Sequence, residues 1–454
     1  MTGWVLGAIV VGGVLLRVWR AGVNGLTFDE TFTAMAGRRS ITDLLAFLRS
    51  ADSHPPLDYL LRMPLARAGV SDFVFRLPSV VMSSAALAVF AWWMRRRGWL
   101  GVVATAVMAV STFQLMYGGE ARMYALLQLV GVLVAVLAET WLQQPRAWHP
   151  WAVGALLLVA AFDHVSALLL AAGVFALAGF RRDPASWRWR FGAAVPVLLW
   201  AIVWGPVLLA QQSGNFASWI PLTTPGGFAD IVARHVTYTD WLKPLAFLAV
   251  VAGSVLLVRR DAALGRVFLA CVVVPFVLAA LVGLFAPFFF DRTLTLSAWG
   301  PPLALAFLVD WTVTRYHTVG VALGATVVVL ALMSSIWFFG LPWDTDVSME
   351  HLEAVARPGD VIAVYPARQA DIVEWRIGVR GPRPARGVSV PGLPDTEAIQ
   401  LEGGATTRVW LLAWAWDHHP FAGFARCAPE WTDGTTKVLC LRVGWVHSAS
   451  EPAL

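Results

Sequence analysis

An acidic pair, Asp29 and Glu30, follows the first apolar run in GLTFDETFTA, and a His-Pro-Pro run at His54, Pro55 and Pro56 comes soon after in DSHPPLDYLL. A carboxylate can take a proton from a hydroxyl, and an imidazole can carry positive charge near neutral pH. Taken alone, Asp29 and Glu30 also fit a helix start at a water interface. His54 also fits a solvated ring in a turn, because the prolines hold the segment before them extended. Asp52, two residues earlier, puts a carboxylate near that ring.

Three further segments carry charge beside apolar runs. YGGEARMYALL holds Glu120 and Arg122, FDHVSALL holds Asp163 and His164, and FFFDRTLTLSAWGPPLALA holds Arg292. Each has a plain alternative: a snorkelling Arg with an acidic neighbour, or a structural His at an interface. An Arg fork also suits a phosphate. Two or three cations beside two or three carboxylates could hold a phosphate leaving group and deprotonate an acceptor hydroxyl. Asp417, His418 and His419 in WDHHPF complete no recognised metal spacing.

The elements that must position these groups are membrane helices. The chain has 454 residues, 58% hydrophobic and only 14% charged; a soluble domain carries about 25% charged residues. Apolar runs near bilayer length repeat along it, which excludes a large soluble helical protein and predicts a polytopic helical one. The net charge is +5, and lysine occurs only at Lys243 and Lys437. The arginines cluster between apolar runs, a pattern of membrane topology rather than nucleic-acid binding. Many of the 24 tryptophans sit at run ends, as Trp92, Trp93, Trp99, Trp141, Trp148 and Trp151 do.

Eleven spans are predicted: Trp4–Trp19, Leu77–Met94, Leu100–Met116, Tyr124–Leu142, Trp151–Phe162, Val165–Phe180, Phe191–Ala210, Pro244–Val258, Val267–Phe285, Leu294–Val313 and Val319–Phe339. The first is read as a retained helix and not a signal peptide, since an acidic pair rather than a cleavage site follows it. Reading Asp163 and His164 as a break between two short spans places Arg95–Arg97, Arg181, Arg182, Arg259, Arg260 and Arg315 on one side. That side is cytoplasmic by charge bias, with the amino terminus. Asp29, Arg122, His164 and Arg292 then all reach the outer face.

The first outer loop, residues 24–76, is not a plain linker. Ile41, Leu44, Leu45 and Leu48 share one helical face behind a Ser40 cap, and a second short helix starts at the prolines. Both fit helices lying at the interface. Residues 1–340 make the membrane domain. Residues 341–454 are polar enough for a small outer α/β domain, with strands at DVIAVY, RVWLLAWAW and VLCLRVGWV and a helix at SMEHLEAVARPGD. Cys427 and Cys440 in that domain could pair in an oxidising compartment, while Cys271 lies in a span.

These residues resemble those of the polyprenyl-phosphate-dependent glycosyltransferases of the GT-C fold. More narrowly, the chain looks like bacterial relatives of protein O-mannosyltransferases and lipid A aminoarabinose transferases. The resemblance runs through DET, HPPL, EARMYALL, the short-span His and DRTLTLSAWGPPLAL, and covers about residues 1–340. It implies a helical membrane protein with a polyprenyl-phosphate sugar donor, membrane lipids and an unnamed extracytoplasmic acceptor as partners, in a bacterial plasma membrane. It implies Asp29 as the base toward the acceptor, with Glu30 supporting it or helping to hold a divalent metal. Arg122 and Arg292 would contact the donor phosphate, with His54 beside it; Asp52, Glu120 and His164 would support them. The chain departs from the pattern at Ser53, where some relatives carry a carboxylate, and at Thr293, where an aromatic is common. Two alternatives stay open from the residues alone: a transporter of lipid-linked sugars, and a non-catalytic assembly protein presenting residues 341–454.

Overall fold

The structure, a computed structural model, describes residues 2–340 except 53, 182 and 213–219. Beyond them it describes 351–352, 354–357, 359–365, 385–388, 397–400, 406–414, 425–426, 431–432 and 436–446. Two units are described in turn. One holds Met1–Gly22, Arg39–Leu61 and Arg76–Gly340; the other holds Val23–Arg38, Arg62–Phe75 and Leu341–Leu454.

The chain is a multi-pass helical membrane protein. Its helices are α1 (Thr2–Val23), α2 (Phe28–Gly37), α3 (Ile41–Ala51), α4 (Leu57–Ala68), α5 (Asp72–Met94), α6 (Trp99–Val110), α7 (Thr112–Gly119), α8 (Tyr124–Gln143) and α9 (His149–Asp163). They continue as α10 (Ala167–Leu177), α11 (Pro184–Gln212), α12 (Pro225–Arg234), α13 (Lys243–Arg260), α14 (Ala262–Phe268), α15 (Val274–Gly283), α16 (Gly300–Arg315) and α17 (His317–Gly340). Among the described residues, seven stretches are long and apolar enough to cross a membrane, and two shorter apolar helices lie at His149–Asp163 and Ala167–Phe180. One of the seven, Asp72–Val110, holds two predicted spans, because Gly98 at φ +58° turns the chain between α5 and α6. Every predicted span falls largely on helix. Large apolar side chains such as Trp4, Ile202, Leu209 and Leu245 are exposed on the membrane helices, as lipid-facing positions must be.

Two predicted spans next to the site depart from a single α-helix. Leu100–Met116 is not one helix: α6 ends at Val110, Ser111 leaves helical geometry at ψ 130°, and α7 follows. Leu294–Val313 begins as a 3-10 helix, Asp291–Ser297, before α16. The break at Asp163 and His164 separates two helices as predicted, with His164 extended at φ −156°.

The 3-10 segment is fastened along its length. Pro275 has no N–H for the carbonyl four residues back, Cys271, and the helix there widens to a π turn, Leu269–Val273. The Ser297 hydroxyl donates to that carbonyl at 2.7 Å. Gln114 donates to the Ala298 carbonyl at 2.7 Å. Gly131 in α8 lets the backbone of the 3-10 segment come close, since a Cβ there would stand 1.9 Å from the Leu296 carbonyl oxygen. Gly131→Ala is therefore expected to lower stability by about 1–3 kcal/mol, the usual cost of overpacking. Thermal unfolding in nanodiscs checks this, and an unchanged midpoint would contradict the close packing.

At the far end of α8, Glu139 accepts from Arg97 and from the Trp93 indole. Arg97 also reaches Asp261 at 3.3 Å, so one cation joins the ends of α5, α8 and α13. Next to the site, α3 has the predicted Ser40 cap, accepting from the Asp43 N–H at 3.1 Å. Leu44 and Leu48 are buried as expected; Ile41 is 55% exposed, because the first turn projects past the packed face.

In the second unit, α2 starts with a capping box. Thr27 accepts from the Glu30 N–H at 3.3 Å, and the Thr27 N–H donates to the Glu30 carboxylate at 2.8 Å. Asp72 accepts from the Leu26 N–H at 3.3 Å, and Arg62 donates to the Phe75 carbonyl at 3.1 Å. The carboxy-terminal strands are β1 (Val361–Tyr365), β2 (Ala385–Val388), β3 (Glu397–Gln400), β4 (Thr406–Trp414), β5 (Ala425–Arg426), β6 (Trp431–Thr432) and β7 (Thr436–Val446). They form one sheet in the order β2-β3-β1-β4-β7-β5, with β6 also on β7. β1 and β4 run parallel and the other pairs antiparallel. The three predicted strands are β1, β4 and β7, and the predicted helix retains helical residues at 351, 352, 354 and 355. Asp360 ties the sheet together by accepting from Arg408 at 2.9 Å and from the Trp410 indole at 2.9 Å. Cys440 is disulfide-bonded and Cys271 is free; Cys427 lies outside the described residues.

Candidate active site

The site is built where α3 gives way to α4. Asp52 closes α3 in extended geometry, φ −144° and ψ 166°. Pro55 and Pro56 fix the turn, and α4 then brings Tyr59 back over it. The His54 Nδ1 stands 2.9 Å from one Asp52 oxygen, and since a carboxylate only accepts, the ring donates. The Tyr59 hydroxyl donates to the other Asp52 oxygen. Arg122, from the turn before α8, donates to the Tyr59 hydroxyl at 3.3 Å and lies over its ring. Asp52, Tyr59 and Arg122 are buried, while His54 is half-buried.

The surroundings fix the charge states of Asp52 and Tyr59. Burial pushes the Asp52 carboxyl up, but the charge and hydrogen bond of His54, the Arg122 cation and the Tyr59 hydroxyl outweigh it and hold Asp52 at about 2. Asp52 is therefore ionised at any physiological pH and is no proton acceptor there. Burial, followed by the neighbouring Asp52 charge, pushes the Tyr59 hydroxyl well above the usual phenol range. Tyr59 remains a neutral donor linking Arg122 to the carboxylate.

His164 closes the cluster from the break between α9 and α10. Its ring lies 5.3 Å from that of His54 and 6.4 Å from that of Tyr124. The Ser166 N–H donates to His164 Nδ1 at 3.1 Å, so the ring proton is on Nε2. Burial above all, with the nearby Arg292 and Arg122 cations, pushes the His164 imidazole well below its usual range, so the ring is neutral. Arg292 is half-buried at the head of the 3-10 segment, with its guanidinium 5.5 Å from the centre of the Phe290 ring. Glu120 caps α7, and its carbonyl accepts from Ser79.

Asp52, His54, Arg122, His164 and Arg292 thus share one unit and one electrostatic neighbourhood, with Glu120 two residues from Arg122. Asp29 and Glu30 belong to the other unit. Asp29 is half-buried in the first turn of α2. Glu30 is buried in its capping box. Among the described residues, no three His, Cys, Asp or Glu side chains converge to hold a metal ion; Asp417, His418 and His419 lie outside them.

Sequence reasoning missed Tyr59, Tyr117, Tyr238 and Asp291. The signal was composition. Only six tyrosines occur in the chain, and four of them, Tyr59, Tyr117, Tyr124 and Tyr238, line this region. Scarce phenols gathered near charge are better explained by polar contacts than by a general preference for interfaces.

With this architecture in hand, the known structures can be compared. ArnT from Cupriavidus metallidurans in the apo state superposes with a TM-score of 0.59 at 12% identity, over 97% of this chain and 98% of that one. The same protein bound to undecaprenyl phosphate gives a TM-score of 0.56 at 13% identity, with the same coverage. The chain has the GT-C fold. The S. cerevisiae Pmt1-Pmt2 O-mannosyltransferase complex bound to its sugar donor matches at 14% identity over 52% of this chain, and this chain spans only 37% of it, with a TM-score of 0.36. No family model matches the chain, and no curated protein matches it.

Proposed function

We propose that this protein is an inverting glycosyltransferase that moves one monosaccharide from a polyprenyl-phosphate donor to an acceptor outside a bacterial plasma membrane. Residues 1–340 carry the chemistry, the amino terminus is cytoplasmic, and residues 341–454 form an extracytoplasmic domain. The observation that supports the reading most is the hydrogen-bonded chain His54–Asp52–Tyr59–Arg122 beside His164 and within reach of the Arg292 charge. Such a group has more cation than carboxylate and lies next to short interfacial helices, which suits a lipid-borne phosphate. The undecaprenyl phosphate in the ArnT structure adds support by fold alone.

In this reading Asp29 takes the acceptor hydroxyl proton as the oxygen attacks the anomeric carbon from the face opposite the phosphate. The bond from that carbon to the phosphate oxygen breaks, its electron pair leaves with the polyprenyl phosphate, and the anomeric centre inverts. Arg122, Arg292 and His54 balance the negative charge that grows on the departing phosphate. Asp52 holds His54 and Tyr59 in place, and Tyr59 orients Arg122. Glu30 supports Asp29 by fixing the first turn of α2.

Asp29→Asn tests the base. The substitution keeps the shape of α2 and removes only the proton acceptor, so transfer is expected to fall by about 10²–10⁴. Binding of undecaprenyl phosphate should stay within twofold of wild type. Equal transfer by both proteins would remove Asp29 from the mechanism.

A further inference from the structure

Arg292 is preceded by a carboxylate that the reaction does not use. Asp291 is fully buried, and both its oxygens are taken. Tyr117, at the end of α7, donates to one oxygen at 2.8 Å. Tyr238, from the segment after α12, donates to the other at 2.7 Å. The Arg292 N–H donates to Asp291 Oδ1 at 2.8 Å, which locks the peptide between the two residues. The Arg234 guanidinium stands 3.7 Å from Oδ2. Arg234 is thus an ion-pair partner of Asp291.

The elements that supply these donors are themselves fixed. Tyr238 lies between Thr237 and Thr239, whose hydroxyls meet Ser334 of α17 at 3.4 and 3.1 Å. Tyr117 is held edge-on by Tyr124, with ring centres 5.0 Å apart. Arg234 is braced by Asp230 at 2.7 Å, and Asp230 in turn by Lys243 at 2.9 Å. At the other end of the 3-10 segment, Ser297 and the Ala298 carbonyl are tied down as described above. Seven residues of 3-10 helix is long for a geometry that rarely exceeds three or four. It persists here because its head and tail are both fastened.

We propose that Asp291 is a positioning residue that presets Arg292 for the donor phosphate, with Tyr117 and Tyr238 as its two clamps. The proposal rests on the assignment of Arg292 to that phosphate. Two phenol donors and Arg234 hold the Asp291 carboxylate, and the carboxylate orients the turn through the Arg292 N–H. A cation fixed before binding loses little freedom on meeting its anion, and that saving appears as affinity.

The test is a double-mutant cycle in the full chain in nanodiscs, reading affinity for undecaprenyl phosphate. Arg292→Ala is expected to weaken binding about tenfold, in the range for one lost charge-assisted contact. Tyr238→Phe should weaken it about fivefold in the wild-type background and less than twofold in the Arg292→Ala background, the non-additivity of residues acting as a unit. Tyr117→Phe, on the opposite oxygen, should repeat the pattern and serves if the Tyr238 variant does not fold. A general structural effect would cost the same factor in both backgrounds, and that result overturns the proposal. No loss from either tyrosine variant overturns it as well. If Arg292→Ala itself leaves binding unchanged, the phosphate role of Arg292 fails, and the positioning role fails with it; loss at Arg292 without coupling refutes the positioning role alone.

Discussion

Arg122→Ala protein is expected to fold as the wild type does and to turn over about 10²–10³ times more slowly, a loss of about 2.7–4 kcal/mol of transition-state stabilisation. The expectation follows from where Arg122 sits. Its guanidinium donates to the Tyr59 phenol, while Asp52 keeps its own contacts to His54 and Tyr59. Removing the guanidinium therefore leaves the Asp52–Tyr59–His54 core bonded. What is lost is a positive charge in a buried place, where charge acts more strongly than in water. Arg122→Lys keeps the charge without the fork and should recover only part of the rate. Single-turnover transfer checks both variants, and a folded Arg122→Ala protein with wild-type turnover would contradict the role.

Asp52→Ala is expected to have the largest effect on stability, about 3–5 kcal/mol, because it leaves buried partners without their anion. Asp52 is the common acceptor for His54 and Tyr59, and it lies in the field of Arg122. Asp52→Asn retains an acceptor oxygen and should lose less. The same carboxylate makes an acid-dependent contribution. Its value is about 2 in the folded protein against an ordinary 3.8, so the unfolded chain binds the proton first as pH falls. The contribution is complete above about pH 4 and is lost as pH drops toward about 2, for a total of about 2 kcal/mol. Thermal unfolding in that range should show a steeper acid loss for wild type than for Asp52→Asn. Parallel losses would mean that Asp52 is not held ionised by its neighbours.

The helical architecture was legible because apolar length is a direct signal of a bilayer-crossing helix. Its breaks were less so. Ser111 ends α6 inside an unbroken apolar run, and the 3-10 segment at Asp291–Ser297 depends on fastenings from α7, the π turn and the loop bearing Tyr238. None of these is near it in sequence. The Asp52–His54 pair was legible because two residues of separation across fixed prolines leave little choice. Tyr59 was not, since a tyrosine in an interfacial helix needs no partner until Arg122, 63 positions away, provides one. The capping of α2 was written in Thr27-Phe28-Asp29-Glu30, a Thr followed three residues later by Glu. That local rule accounts for one contact of Glu30 and leaves Asp29 as the carboxylate of the pair assigned to chemistry.

On this reading a sugar leaves a polyprenyl phosphate on this protein. The most direct measurement is release of free polyprenyl phosphate by purified wild-type protein in nanodiscs, supplied with a panel of polyprenyl-phosphate monosaccharides and a mixture of cell-envelope acceptors, beside the Asp29→Asn and Arg122→Ala variants. Release from at least one donor by the wild type is expected, with a loss of two orders of magnitude or more in both variants. Tight binding of a donor with no release from any of the panel, or release at equal rates by all three proteins, would contradict it.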